Sequence, residues 1–264
     1  MNVFIAALLG LVQGFCEFLP VSSSGHLVLL QTVFGIDEGA LFFDTMLHVG
    51  SLIAVVAVFY RELWALIKKP FQKRVYMLAV SAAVTALLWF LFEDVFNDAF
   101  AGRFLGFGFL LTALILFVNE KLARGSHKVE QMKWTDAVAV GFLQGVAILP
   151  GVSRSGSTIA GGRIFGLSKE EAAQFSFLLS IPVILGALVL QLPDAFASGT
   201  GAISWLCIAV GTAVAAVSGY LAIRWMLKLI VKKSLMGFAV YVLILGILVL
   251  GDQFVTHFFF TNPF

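Results

Sequence analysis

The chain has 264 residues, 60% of them from the apolar set AVILMFWYC and only 12% Asp, Glu, Lys or Arg. Soluble domains run at about 45–50% apolar and about 25% charged, so this composition, with a mean hydropathy of +1.00, excludes a disordered chain, a disulfide scaffold and an ordinary soluble globule. The net charge is only +2 and no basic cluster is interleaved with aromatics, which argues against a nucleic-acid partner. What remains is an all-α polytopic membrane protein surrounded by membrane lipids.

In chain order, the opening MNVFIAALLGLVQGF has no basic n-region and runs directly into a motif, so it is expected to belong to the mature protein. The first apolar stretch, 3–19, is followed by the polar turn Pro20-Val-Ser-Ser-Ser-Gly-His26 and a short apolar segment. Stretches 41–60, 75–92 and 104–119 follow, each close to the roughly 20 residues of a helical span. The pattern then recurs. Stretch 134–149 leads into Pro150-Gly-Val-Ser-Arg-Ser-Gly-Ser157, and spans are expected at 173–192, 203–225 and 236–255. Pro removes a backbone donor and Gly allows unusual dihedrals. Such backbone is tolerated at membrane depth only inside protein or beside a wet cavity. Both turns are therefore expected at the tips of re-entrant helical hairpins. Cys16 and Cys207 lie in apolar runs and read as buried small hydrophobes.

The hairpins match each other. Gln13-Gly14 aligns with Gln144-Gly145, and Ser24-Gly25 with Ser155-Gly156, at one offset of 131 residues. The chain thus reads as a single membrane domain built from two copies, 1–131 and 132–264. Each is a re-entrant hairpin plus three spans, and the odd number of crossings inverts the second copy. Loop charge supports one orientation. Arg61, Lys68, Lys69, Lys73 and Arg74, then Lys121, Arg124, Lys128 and Lys133, then Arg224, Lys228, Lys232 and Lys233 all fall on one side of the six spans. Glu93, Asp94, Asp98 and Asp194 fall on the other. The positive-inside rule places the basic loops in the cytoplasm and both termini outside. Hairpins that crossed fully would give the same orientation.

Charges inside membrane segments are costly and usually functional. Gln13 and Glu17, spaced i, i+4, share a helix face, as do Asp44 and His48. His26 opens a short helix, and Arg154 sits among Ser153, Ser155, Ser157 and Thr158. Simpler readings exist for several of them. Gln13 could bridge helices, Asp44 and His48 could lie at the headgroups, His26 could be structural, and serines are common at membrane helix contacts. Glu17 and Arg154 resist that treatment, because an unpaired charge at depth is strongly destabilising. The second turn offers a guanidinium, hydroxyls and a helix N-terminus, which together make a phosphate cradle. The first offers Glu17 and His26 beside Ser22, Ser23 and Ser24, a composition suited to phosphoryl or acyl transfer. A site within an apolar bundle suggests a lipid-tailed substrate.

Gln13-Gly-Phe-Cys-Glu17-Phe-Leu-Pro-Val-Ser-Ser-Ser-Gly-His26 resembles the first signature of the bacitracin-resistance family of undecaprenyl-diphosphate phosphatases. Pro150-Gly-Val-Ser-Arg-Ser-Gly-Ser-Thr158 resembles the second, and Leu47–Ala54 and Phe175–Pro182 fit the intervening spans. The similarity covers essentially the whole chain. It departs where Asp44 stands in place of a frequent Glu and His48 in place of a frequent Gln. The resemblance implies conversion of undecaprenyl diphosphate to the monophosphate carrier of peptidoglycan synthesis, with bacitracin resistance, an inner-membrane location, a site open to the outer side and dependence on a divalent cation. It places Glu17, Ser23, His26 and Arg154 in catalysis, and Gln13, Ser22, Ser24, Gly151, Ser153, Ser155, Gly156 and Thr158 around the substrate. Glu17 and Asp44 would hold Mg²⁺ or Ca²⁺. Two routes stay open: attack by Ser23 with His26 as base, or water activated by Glu17 or His26. A homodimer is left open as well.

Ser24-Gly-His26 also resembles an element of phosphatidic-acid-type phosphatases. Their Arg-Pro motif is missing, however, and no His or Asp lies between Arg154 and Lys169. A rival of another class is a lipid-phosphate transporter, since inverted repeats with broken helices are transporter architecture. Its two halves would not need acid/base groups on one side only, yet Glu17 and His26 face Ile148 and Ser157 at the matching positions.

Overall fold

The computed structural model describes residues 1–36, 39–99, 102–123 and 125–260. Arg124, counted above among the basic loop residues, lies outside them, as does the side chain of Asp98. The first half contains α1 (Val3–Phe18), α2 (Ser23–Phe34), α3 (Ala40–Val58), α4 (Tyr60–Lys68), α5 (Lys73–Leu91), α6 (Glu93–Ala99) and α7 (Leu105–Leu122). The second contains α8 (Trp134–Val146), α9 (Arg154–Ile164), α10 (Lys169–Ser198), α11 (Trp205–Lys232) and α12 (Met236–Gly251). No strand occurs among the described residues.

Six helices are long and apolar enough to cross a bilayer: α3, α5, α7, α10, α11, and α12 with its continuation to Thr256. Their outer faces carry large apolar side chains open to the surroundings, among them Phe90, Leu114, Val189, Val217 and Leu248. This is a polytopic all-α membrane protein. The 16 residues of α1 and 13 of α8 reach only about 24 and 20 Å at 1.5 Å per residue, against a hydrocarbon core of about 30 Å.

Local chemistry sets the helix starts. Asn2 accepts the N–H of Ile5, Ser153 that of Gly156, Ser168 that of Glu171 and Ser204 that of Cys207, each satisfying an otherwise orphaned donor. The fourth and fifth spans of the expected set run longer than their apolar stretches. α10 begins at Lys169 because the Ser168 cap and acidic Glu170 and Glu171 suit a first turn, and α11 continues through basic residues to Lys232. Two short helices, α4 and α6, lie in segments read from sequence only as loops. α4 buries none of its residues, and exposes Trp64 and Ile67 beside Arg61 and Lys68.

The helices pair in a repeated pattern. α1 lies against α11, and α8 against α5. Gly10 and Gly14 of α1 abut Gly211, Ala215 and Ser218, while Gly141 and Gly145 of α8 abut Ser81 and Leu88. Small residues four apart let backbones approach closely where lipid supplies no hydrophobic drive. Ser218 Oγ donates to the Gly10 carbonyl (3.4 Å), and Thr85 Oγ1 to that of Gly141 (3.0 Å). The basic segments gather at one end of the bundle. There Arg74 pairs with Glu171 (2.6 Å), the Leu235 N–H donates to Glu120, and Lys169 donates to the Lys233 carbonyl.

A Cβ on Gly14 would stand 2.5 Å from the Ala215 oxygen, whereas one on Gly186 meets nothing within 4 Å. Gly14→Ala is therefore expected to destabilise the protein by about 1–3 kcal/mol in thermal unfolding in detergent. Gly186→Ala is expected to leave it unchanged or slightly more stable.

Candidate active site

The polar turns after α1 and α8 meet inside the bundle. Ser155 Oγ donates to the Leu19 carbonyl at 2.8 Å, bonding one turn to the other. A Cβ on Gly25 would lie 2.9 Å from Gly151 Cα and 2.8 Å from the Phe109 ring, so only glycine permits this approach. Gly151 itself has φ +87°, open to glycine and strained for other residues. Thr112 of α7 clamps it: Thr112 Oγ1 donates to the Gly151 carbonyl and accepts the Ser153 N–H, both at 2.8 Å.

The contact places Glu17 of α1 against Arg154, the first residue of α9, at 2.5 Å. Glu17 is 7% exposed. Its second oxygen, Oε2, accepts Ser23 Oγ at 2.5 Å and Gln13 Nε2 at 3.2 Å. Gln13 Nε2 also stands 3.0 Å from His48 Nδ1 and 3.3 Å from Ser51 Oγ on α3. Ser23 reaches Glu17 because the chain reverses at Ser22, whose φ of +70° is unusual for a residue with a Cβ. The His26 ring holds that bend, with Nδ1 2.7 Å from the Ser22 carbonyl. Arg154 Nη1 is buried without a partner among the described residues, as are Ser157 Oγ and Gln13 Oε1. The result is a hydroxyl on a carboxylate, a guanidinium on the same carboxylate, and an unspent N–H donor beside them.

Residues 6–248 match the family described as bacitracin resistance protein BacA. The chain belongs to that family. It is 46% identical over 256 residues to the undecaprenyl-diphosphatase of Carboxydothermus hydrogenoformans, covering 96% of this chain and 98% of that one. It is 43% identical to undecaprenyl-diphosphatase 4 of Bacillus cereus (96% and 98% covered) and 40% identical to the undecaprenyl-diphosphatase of Halothermothrix orenii (95% and 98%).

Among the residues expected at the site, Gln13, Glu17, Ser23 and Arg154 come together. Gln13 is fully buried and touches Glu17 rather than an open cavity. His26 does not reach Ser23. Its two nitrogens engage the Ser22 carbonyl and Tyr241 Oη, and the Ser23 hydroxyl hydrogen-bonds the Glu17 carboxylate instead. The cradle serines are also spent internally. Ser153 caps α9 through Gly156, Ser155 bonds Leu19, and Thr158 bonds the Arg154 carbonyl and Ser176. Ser22 and Ser24 hydroxyls lie 3.4 Å apart.

Asp44 Oδ1 accepts Gln31 Nε2 at 2.6 Å, tying α3 to α2. No group of three or more His, Cys, Asp or Glu fit to hold a metal ion occurs among the described residues. Both Glu17 oxygens already accept protein donors. This donor set does not fit a cation caged by Glu17 and Asp44. Sequence reasoning did not single out Ser51, one turn after His48 within the Leu47–Ala54 stretch, and missed Thr112 and Tyr241, single polar groups in apolar spans.

Removing one member of a buried pair strands the other. Arg154→Met is expected to lower stability by about 3–5 kcal/mol, and the double variant with Glu17→Gln to recover a large part of that loss. Thermal unfolding of the single and double variants measures it.

Proposed function

We propose that this protein hydrolyses undecaprenyl diphosphate to undecaprenyl phosphate and inorganic phosphate, returning the lipid carrier to peptidoglycan synthesis and conferring resistance to bacitracin, which sequesters the diphosphate. The carrying observation is the buried Glu17 carboxylate bridging the Ser23 hydroxyl and the Arg154 guanidinium, each at 2.5 Å. Membership of the family and the names of the relatives support the same substrate.

In this reading the terminal phosphate docks on Arg154 Nη1, the unpaired donor, while Nη2 stays on Glu17. Ser23 Oγ attacks the terminal phosphorus as its proton passes to Glu17. The Ser23 O–P bond forms, the bridging P–O bond breaks, and the lipid phosphate leaves with the electron pair. Water then attacks the phosphoserine, its proton going to the released phosphate, and Glu17 returns its proton to Ser23. Gln13 orients Glu17 throughout. Neutral serine is a weak nucleophile, and an adjacent base is the usual remedy. A divalent cation, Mg²⁺ or Ca²⁺, belongs to this proposal as a companion of the anionic diphosphate rather than as a resident of the side chains.

The basic end of the bundle would face the cytoplasm by the positive-inside rule, in the inner membrane, with the two halves of the chain as inverted repeats and the site open to the outer side through re-entrant hairpins. Gln13, Glu17, Ser23 and Arg154 meet within one chain.

Ser23→Ala is expected to lower phosphate release by at least about 10³-fold, the scale of losing an activated nucleophile, with lipid binding kept. Acid quenching of wild type with substrate labelled in the terminal phosphate is expected to trap label on Ser23. Full activity in Ser23→Ala, or label absent under single-turnover conditions, would move the reaction to direct attack by water.

A further inference from the structure

His26 is 7% exposed and fixed on all sides. Its Nδ1 lies 2.7 Å from the Ser22 carbonyl oxygen and its Nε2 2.7 Å from Tyr241 Oη. The Tyr241 ring stacks on the imidazole at 5.7 Å and 16°, and Phe109 meets it edge-on at 5.4 Å. A carbonyl oxygen can only accept, so Nδ1 carries the proton. In the neutral ring Nε2 is then the lone-pair nitrogen, and the Tyr241 hydroxyl donates to it.

We infer that Tyr241 is a positioning residue for the reaction: it fixes the His26 tautomer whose Nδ1–H holds the Ser22 carbonyl, and thereby aims Ser23 at Glu17. The inference rests on the proposed hydrolysis for its kinetic consequence but not for its structural one. Ser22 has φ +70°, a conformation disfavoured for any residue with a Cβ and kept only where the surroundings over-determine it. The bond from His26 is one such restraint, and the Gly25 N–H donated to Ser22 Oγ is another. His26 in the other tautomer would present a lone pair to the carbonyl, and the bend would lose its anchor. Ser23 follows immediately, and its 2.5 Å bond to Glu17 depends on that bend.

Two features fit a strut better than a catalytic acid or base. The basic nitrogen of His26 is covered by Tyr241 rather than facing Ser23. A phosphate monoester is also stable as an anion at neutral pH, its second pKa being about 6, so the departing lipid phosphate needs no proton from an imidazole. Tyr241 belongs to α12, in the other half of the chain, and its far side opens on a cavity of about 510 Å³ lined also by Cys16, Leu19, Phe238 and Lys233. The first hairpin is thus braced by the last span.

The test is ring-¹⁵N-histidine spectroscopy on the full chain in detergent, with the His26 signals assigned by their loss in His26→Gln, beside steady-state phosphate release. The wild type is expected to show His26 protonated at Nδ1 and bare at Nε2. Tyr241→Phe keeps the stacked ring and removes only the donor. It is expected to move the Nε2 resonance toward that of a free nitrogen and to lower kcat about fivefold, the scale of one hydrogen bond, with KM within twofold. A wild-type proton on Nε2, an unmoved Nε2 resonance, or a kcat within twofold of wild type overturns the assignment. If the wild type releases no phosphate, the hydrolytic reading fails, and the nitrogen shifts alone decide whether Tyr241 sets the tautomer.

Discussion

The ion pair between Glu17 and Arg154 is the constraint on which the site depends. It joins residues 137 positions apart, at the ends of two short helices that approach from opposite halves of the chain. Buried pairs add little net stability, since desolvation consumes most of the attraction. What this one supplies is registry: each charge is tolerable only where the other stands. The packing around it serves that approach. Gly25 and Gly151 let the turns touch, Thr112 holds the second turn from α7, and Ser155 bonds it to the first.

Close glycine contacts recur in both halves of the chain, while the charged groups do not. Gly10 and Gly14 on α1 and Gly141 and Gly145 on α8 make equivalent close contacts with α11 and α5. Gln13 and Gln144 occupy matching places, yet Gln144 ends on Thr85 in a structural bond (2.9 Å), whereas Gln13 donates to a carboxylate. The difference lies one helical turn later, where the first half has Glu17 and the second Ile148. One half therefore presents the base and hydroxyl, and the other presents the cation. Neither half alone contains a site.

Much of this was legible in the sequence because it follows from solvent. Apolar stretches of span length, Pro- and Gly-rich turns between shorter ones, and the expense of Glu17 and Arg154 in an apolar chain all point one way without coordinates. The use of the cradle serines is not legible in the sequence, because a hydroxyl after a helix start has two equally good uses. In the structure Ser153 caps α9 and Ser155 bonds the first turn. Ser23 and His26 stand three residues apart in the sequence, but the bend at Ser22 turns the imidazole toward the backbone and Tyr241. Tyr241 carried no signal, since one aromatic in the hydrophobic run of α12 looks like any other until the fold brings it to the first hairpin.

The arrangement also explains how a charged site can wait inside a bilayer. Glu17 and Arg154 neutralise each other, so neither charge stands alone inside the bundle. Arg154 is forked: one Nη remains on Glu17 while the other is buried and unspent. In the proposed reaction a phosphate would bind without breaking the pair, and the carboxylate would keep its cation beside it as Ser23 surrenders a proton. The charge that binding adds would be that of the diphosphate itself, and in the proposed reaction a cation travelling with the substrate would offset it.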